Sequence, residues 1–276
     1  MRRAPWYILL IGASLALAPR SAPGLEFTST LSSIKVHVRR GEVVTRAFEL
    51  HLTPGQAATR FRSHVEDWWQ SEDGARSFYR PPGTLARSCG TWITLDPIEI
   101  SVAAGDTLRV RITATVPRAA TPGGYWCVLT VDQLPDPLAN DEGVDMRFAA
   151  SVSTGIFLYL DPVQRDVRIS AIGISAHRAR ITLRNAGNAP VAVDGRILLF
   201  RAGDRQPVAE VPLKRMTVLT EPISTRRVTA DLPDLSALPA GRYVVQVVLD
   251  LGLDHDIAVQ KQLVLPDDLE RPGQDR

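Results

Sequence analysis

The residues of this chain whose types could do chemistry are five histidines, two cysteines and the run Asp254-His255-Asp256. A hydrolytic or metal site needs such groups at a spacing that lets them meet, as base beside nucleophile or as ligands around one ion. His37, His51, His64, His177 and His255 stand apart, each in a strand-like or turn-like setting, with no triad or ligand pattern around any of them. The Asp254-His255-Asp256 run falls in a turn, where Asp is favoured for its bonds to the backbone. No G-x-S-x-G is present, and no glycine-rich loop follows a strand and opens a helix. The expectation is a protein with no catalytic residue, no metal and no cofactor.

Cys89 and Cys127 are the only cysteines, without a C-x-x-C or Cys/His spacing. In an oxidising compartment they pair as a disulfide; otherwise they are two buried thiols, and the deciding Cα separation is not in the sequence. Trp68, Trp69, Phe78 and Tyr79 flank an irregular stretch and offer rings that stack on a sugar or peptide. Neighbours on a strand point to opposite faces, so one of each pair belongs in a core instead.

The elements that must position these residues are strands. Across 276 residues, 32 basic side chains face 30 acidic ones, a net charge of +2, and the arginines are scattered among carboxylates. Lys35, Lys214 and Lys261 are the only lysines. This is a solvated surface without the basic stripe that nucleic acid requires. Residues 1–24 read as a signal peptide: Arg2 and Arg3 precede a short apolar core, Trp6 to Ala18, too short to span a bilayer. Cleavage before Leu25 is preferred to cleavage after Ala16-Leu17-Ala18, which Pro19 follows. The mature chain is then exported to the periplasm, with secretion or envelope association as the alternative.

Residues 25–162 read as one immunoglobulin-like β-sandwich, with strands expected at Phe27 to Val38, Val43 to Leu52, Ala58 to Trp69, Trp92 to Val102, Thr107 to Val116 and Tyr125 to Leu134. Gln70 to Gly90 is irregular, and Trp92 to Val102, bent at Asp96-Pro97, pairs with Thr107 to Val116 as a hairpin. Residues 163–266 give a second sandwich from Val167 to Ser175, Arg178 to Arg184, Val191 to Phe200, Val208 to Leu213, Thr225 to Ala230, Arg242 to Leu251 and Ile257 to Leu265. Residues 267–276 are a polar tail. The fold class is all-β, two sandwiches in tandem.

One stretch breaks the scale. From Val144 to Leu160 the even positions are apolar apart from Thr154, a period of two sustained well beyond the roughly 3–10 residues of ordinary strands. Such a strand continues past its own sheet, bends, or leads into a second domain.

The segments Leu95-Asp96-Pro97-Ile98-Glu99-Ile100, Ala104-Gly105-Asp106-Thr107-Leu108-Arg109-Val110, Gly124-Tyr125-Trp126-Cys127-Val128-Leu129-Thr130-Val131 and Ile156-Phe157-Leu158-Tyr159-Leu160-Asp161-Pro162, in that order, resemble the PapD-like periplasmic pilus chaperones. The resemblance implies a non-enzymatic, two-domain protein whose first domain lends its last strand to an incomplete subunit. It places the donor positions on Phe148, Ala150 and Val152, with Met146 as an outer extension. It also implies an anchor for the subunit's terminal carboxylate, from a lysine on that strand and an arginine on the first strand. Here the lysine position holds Phe157 and the arginine position falls near Val36 or His37, so Lys35, His37 and Arg147 are the candidate anchors. The implied partners are a protein subunit or other exported protein and an outer-membrane usher. The alternative is an envelope interaction protein of the same fold with no donated strand.

Overall fold

The computed structural model describes residues 27–29, 33–53, 58–79, 81–134, 150–175 and 177–265. Strands dominate throughout, and the first sandwich closes over one apolar core. One of its sheets has the order β1 (Phe27–Ser29), β3 (Val43–Leu52), β8 (Thr107–Thr115), β6 (Ile93–Asp96). The other runs β2 (Ser33–Val38), β10 (Ser151–Leu160), β9 (Gly123–Gln133), β4 (Thr59–Gln70), β5 (Arg76–Tyr79), with β7 (Glu99–Val102) also on β4. Phe48, Leu50, Leu108, Val110, Leu129, Ile156 and Leu158 fill the space between them.

Two expected strands are each divided between the sheets. Phe27 to Val38 becomes β1, paired with β3, and β2, paired in parallel with β10. Trp92 to Val102 becomes β6 on β8 and β7 on β4, so the expected hairpin survives only in its first half. At the second division the core-facing phase slips by one residue: Ile93 and Leu95 face the core from β6, Ile100 and Val102 face it from β7, and Ile98 between them is exposed. The Gln70 to Gly90 stretch also contains the short strand β5, antiparallel to β4, and Asp67 organises the rest of it. Its fully buried carboxylate accepts from the amides of Gly83 and Leu85 and from the hydroxyl of Ser88.

The second sandwich follows the expected strand order. Its sheets are β11 (Val167–Ser175), β12 (Arg178–Asn185), β15 (Thr225–Asp231) and β14 (Ala209–Val218), β13 (Val191–Arg201), β16 (Gly241–Asp250), β17 (Ile257–Leu265). Strand β14 runs five residues past the expected end at Leu213. Its pairing with β13 shifts where Val193 opposes Met216 and Gly195 opposes Leu213, and that irregularity absorbs the polar pair Lys214-Arg215.

A third apolar cluster joins the two sandwiches. Trp68, Trp126, Val128, Phe157 and Tyr159 on the outward face of the first domain meet Ala189 and Leu219 of the second. It explains why β9 and the end of β10 read as continuous apolar runs: one row of side chains enters the domain core and the other is covered by the neighbouring domain. The approach is close at Gly124, where a Cβ would lie 2.4 Å from Pro190 Cδ, and the Gly124 amide donates to Asn188 O at 2.9 Å. The turn after β4 docks on β15: Glu72 O accepts from the Arg227 amide at 2.6 Å and from Arg226 Nη1 at 3.0 Å. Burial pushes the Arg226 guanidinium down, with Asp73 opposing. Residues 1–24, 267–276 and 144–149 lie outside the described residues.

Candidate functional site

Strand β10 sits between β9 and β2, and the two neighbours differ in extent. Its antiparallel register with β9 covers the whole strand, from Ser151 opposite Asp132 to Leu160 opposite Gly123. Its parallel register with β2 begins only at Gly155 opposite Ser33. Ser151, Val152 and Ser153 therefore have a strand on one side only, among the described residues. Such an edge presents backbone donors and acceptors to whatever strand approaches.

The expected even-position phase holds along the strand. Ile156, Leu158 and Leu160 are in the domain core, and Val152 packs half-buried against the edge of the same core. Ala150, also half-buried, exchanges backbone contacts with Gln133, whose amide donates to Ala150 O at 2.9 Å. Met146, Arg147 and Phe148 lie outside the described residues. Strand β17, one of the edge strands of the second domain, is different in character. Lys261 on β17 shares a row with the core-facing Ile257 and Leu263 and donates across to Ile172 O at 2.7 Å, the kind of charge that guards an edge.

The parallel register sets two of the named positions side by side. Phe157, at the position where the resemblance implies a lysine, lies directly opposite Lys35 on the adjacent strand. Lys35 is exposed and makes no ion pair among the described residues. It projects into the cleft between the domains, where it lines two adjoining cavities together with Arg215 of β14. His37, the other candidate on β2, stacks on Tyr159 with ring centroids 5.4 Å apart and lies 3.8 Å from the Asp161 carboxylate.

One cavity, about 450 Å³, carries charges of both signs: Lys35, Arg165 and Arg215 against Asp194 and Asp250. Arg215 is already 3.6 Å from Asp194. Tyr159 closes this cavity, donating to Pro190 O at 3.3 Å, and burial pushes its phenol up with Arg165 partly opposing. The second cavity, about 310 Å³, has Lys35, Arg76 and Arg215 and no acidic side chain in its lining. Arg76 and Arg215 were hidden among scattered arginines in the sequence. For Arg215 the one available signal was the apolar Met216 and Val218 continuing β14 beyond it.

Cys89 and Cys127 are joined by a disulfide, with Cα atoms 5.4 Å apart, tying the loop before β6 to β9. Of the aromatic pairs, Trp68 is buried at 5% exposure while Trp69 is half-buried and hydrogen-bonded to the Tyr79 hydroxyl; Phe78 stays 45% exposed at the cleft rim. No group of three or more acidic, His or Cys side chains suited to a metal occurs among the described residues. No described helix is long and apolar enough to cross a membrane.

No protein-family model matches the chain, and no curated protein does. Solved structures do. A chain of a chaperone–tip adhesin complex of CFA/I fimbriae biogenesis superposes with a TM-score of 0.50 at 11% identity, covering 86% of this chain and 98% of its own. The CupB2 chaperone of Pseudomonas aeruginosa gives 0.45 at 13% identity over 87% and 100%. A chain of the Salmonella enterica SafA pilin–SafB chaperone complex gives 0.46 at 12% over 89% and 99%. The first of these likenesses, spanning both sandwiches, is one of fold: the chain has the two-domain PapD-like chaperone fold.

Proposed function

We propose that this chain is a non-enzymatic, periplasmic chaperone-like protein that holds an exported, pilin-type subunit by strand addition along the edge of β10. The observation that carries the reading is the start of β2 at Ser33 beside Gly155, so that among the described residues Ser151 to Ser153 have a strand on one side only, next to a cleft containing Lys35. A client strand lying there continues the line of β2. If it runs parallel to β10, its C-terminus points at the start of β2, so its carboxylate approaches Lys35 and Arg215; the reverse direction brings an ammonium instead. Charge complementarity thus selects the parallel arrangement. Apolar side chains in the phase of Val152, continued through Ala150, Phe148 and Met146, then cover the client's open groove, whose exposure is otherwise an aggregation hazard. The same chemistry makes an outer-membrane usher the acceptor to which a held subunit is passed.

Co-purification with an exported pilin-type subunit tests this. The Phe148→Asp variant is expected to lose the subunit while the isolated protein keeps its thermal transition. A variant that unfolds shows that Phe148 belongs to the protein's own core, and a partner retained by the folded variant favours an envelope interaction protein without strand donation.

A further inference from the structure

The outward face of the six-stranded sheet carries an aromatic row with a cation at one end. Lys35 opposes Phe157, Phe157 opposes Trp126, and Trp68 opposes Phe78. Trp126 and Trp68 close the row by donating to each other's strands, Trp126 Nε1 to Trp68 O at 2.9 Å and Trp68 Nε1 to Cys127 O at 3.2 Å. Trp68 meets Phe157 edge-on, with centroids 6.0 Å apart, and Arg76 lies 5.8 Å above the Trp68 ring. Trp68, Phe78 and Phe157 wall the 310 Å³ cavity, with Met216 of the second domain also in its lining. Its floor is left open by Gly155, where a Cβ would come within 3.0 Å of the Phe157 ring.

We infer that this cavity is a socket for the last side chain of the client, and that it selects a large apolar, preferably aromatic, C-terminal residue. The inference rests on the strand-addition reading and adds a specificity to it. Arg215 is shared with Asp194 and Arg76 lies over Trp68, but Lys35 has no ion pair among the described residues and the lining has no carboxylate, so the cavity calls for an anion, and its aromatic walls for an apolar body attached to it. A free amphiphile has that chemistry too. The peptide terminus is favoured because Ser153, Gly155 and Phe157 belong at once to the cavity and to β10, so a chain added to that edge delivers its final residue there. Phe78, an exposed aromatic on a short edge strand, is then the rim that closes over the occupant.

The test is calorimetric titration of the full mature chain with three synthetic peptides of one alternating apolar sequence, ending in Phe carboxylate, Ala carboxylate and Phe amide. The Phe carboxylate peptide is expected to bind about ten-fold or more tightly than the Ala peptide, the discrimination expected from burying a large apolar side chain. Phe78→Ala should shrink the Phe-over-Ala preference and leave the carboxylate-over-amide preference in place, whereas Lys35→Ala should do the opposite. Equal binding of the Phe and Ala peptides, with the carboxylate preference intact, overturns the socket and spares the strand-addition reading. Binding of dodecanoate with none of the peptides bound overturns both.

Discussion

Lys35 and Phe157 are direct lateral neighbours on two parallel strands, β2 and β10. The two side chains share the outward face, and the ammonium stands beside the aromatic row without displacing it. Replacing Lys35 with Ala is expected to weaken a free-carboxylate peptide by about ten-fold or more, the range of a lost charge-assisted hydrogen bond, and to leave its amide unaffected. Titration of both peptides against both proteins measures this, and equal weakening of the two would place the carboxylate elsewhere.

Gly124 sets how closely the domains meet. Gly124→Val places side-chain atoms on Pro190 and Ala189, where even a Cβ comes within 2.4 and 2.8 Å. Relief requires the second domain to move, so a loss of about 1–3 kcal/mol is expected together with a more extended particle. Chemical denaturation and small-angle scattering report the two effects, and an unchanged scattering profile would contradict the stated role of this contact.

The Cys89–Cys127 disulfide closes a loop with a sequence separation of 38 residues. Its removal by the paired Cys→Ser substitutions is expected to cost about 2–4 kcal/mol. The measurement is denaturation of wild type and variant with and without reductant, and reduction should bring the wild type to the variant's stability.

Glu99 on β7 is held below its ordinary value chiefly by the hydrogen bond from Arg62 on β4, with further attraction from Arg62 and Arg60. A carboxylate whose folded value is depressed contributes above its unfolded value and loses that contribution as pH falls through the folded one. The link between β7 and β4 is therefore expected to weaken only on the acid side. In Arg62→Ala, an NMR titration of Glu99 should move toward the ordinary range; an unmoved titration would remove Arg62 as the cause.

The second sandwich was legible in its strand order because strands such as β12 and β13 alternate between core and solvent and are separated by turn residues such as Asn185-Ala186-Gly187-Asn188. The first was legible in its strands but not in its sheet assignment, since the one-residue change of phase between Leu95 and Ile100 falls at Asp96-Pro97, where it reads as a bend within one strand. Strand β5 went unread because its four residues owe their place to β4 and to the Glu72 contact with the second domain, not to a pattern of their own. The site was half legible. Val152 and Lys35 could be named from sequence, but the pairing of Lys35 with Phe157 is a matter of register between distant segments. Arg215 entered only because β14 continues through Lys214-Arg215, where polarity had marked its end.

The most direct measurement of the central claim is a crystal structure of the chain with the Phe carboxylate peptide. The peptide is expected to lie parallel to β10 along Ser151 to Ser153, in line with β2, with its carboxylate within hydrogen-bonding reach of Lys35. A peptide running antiparallel, or bound away from that edge with Lys35 uncontacted, would contradict it.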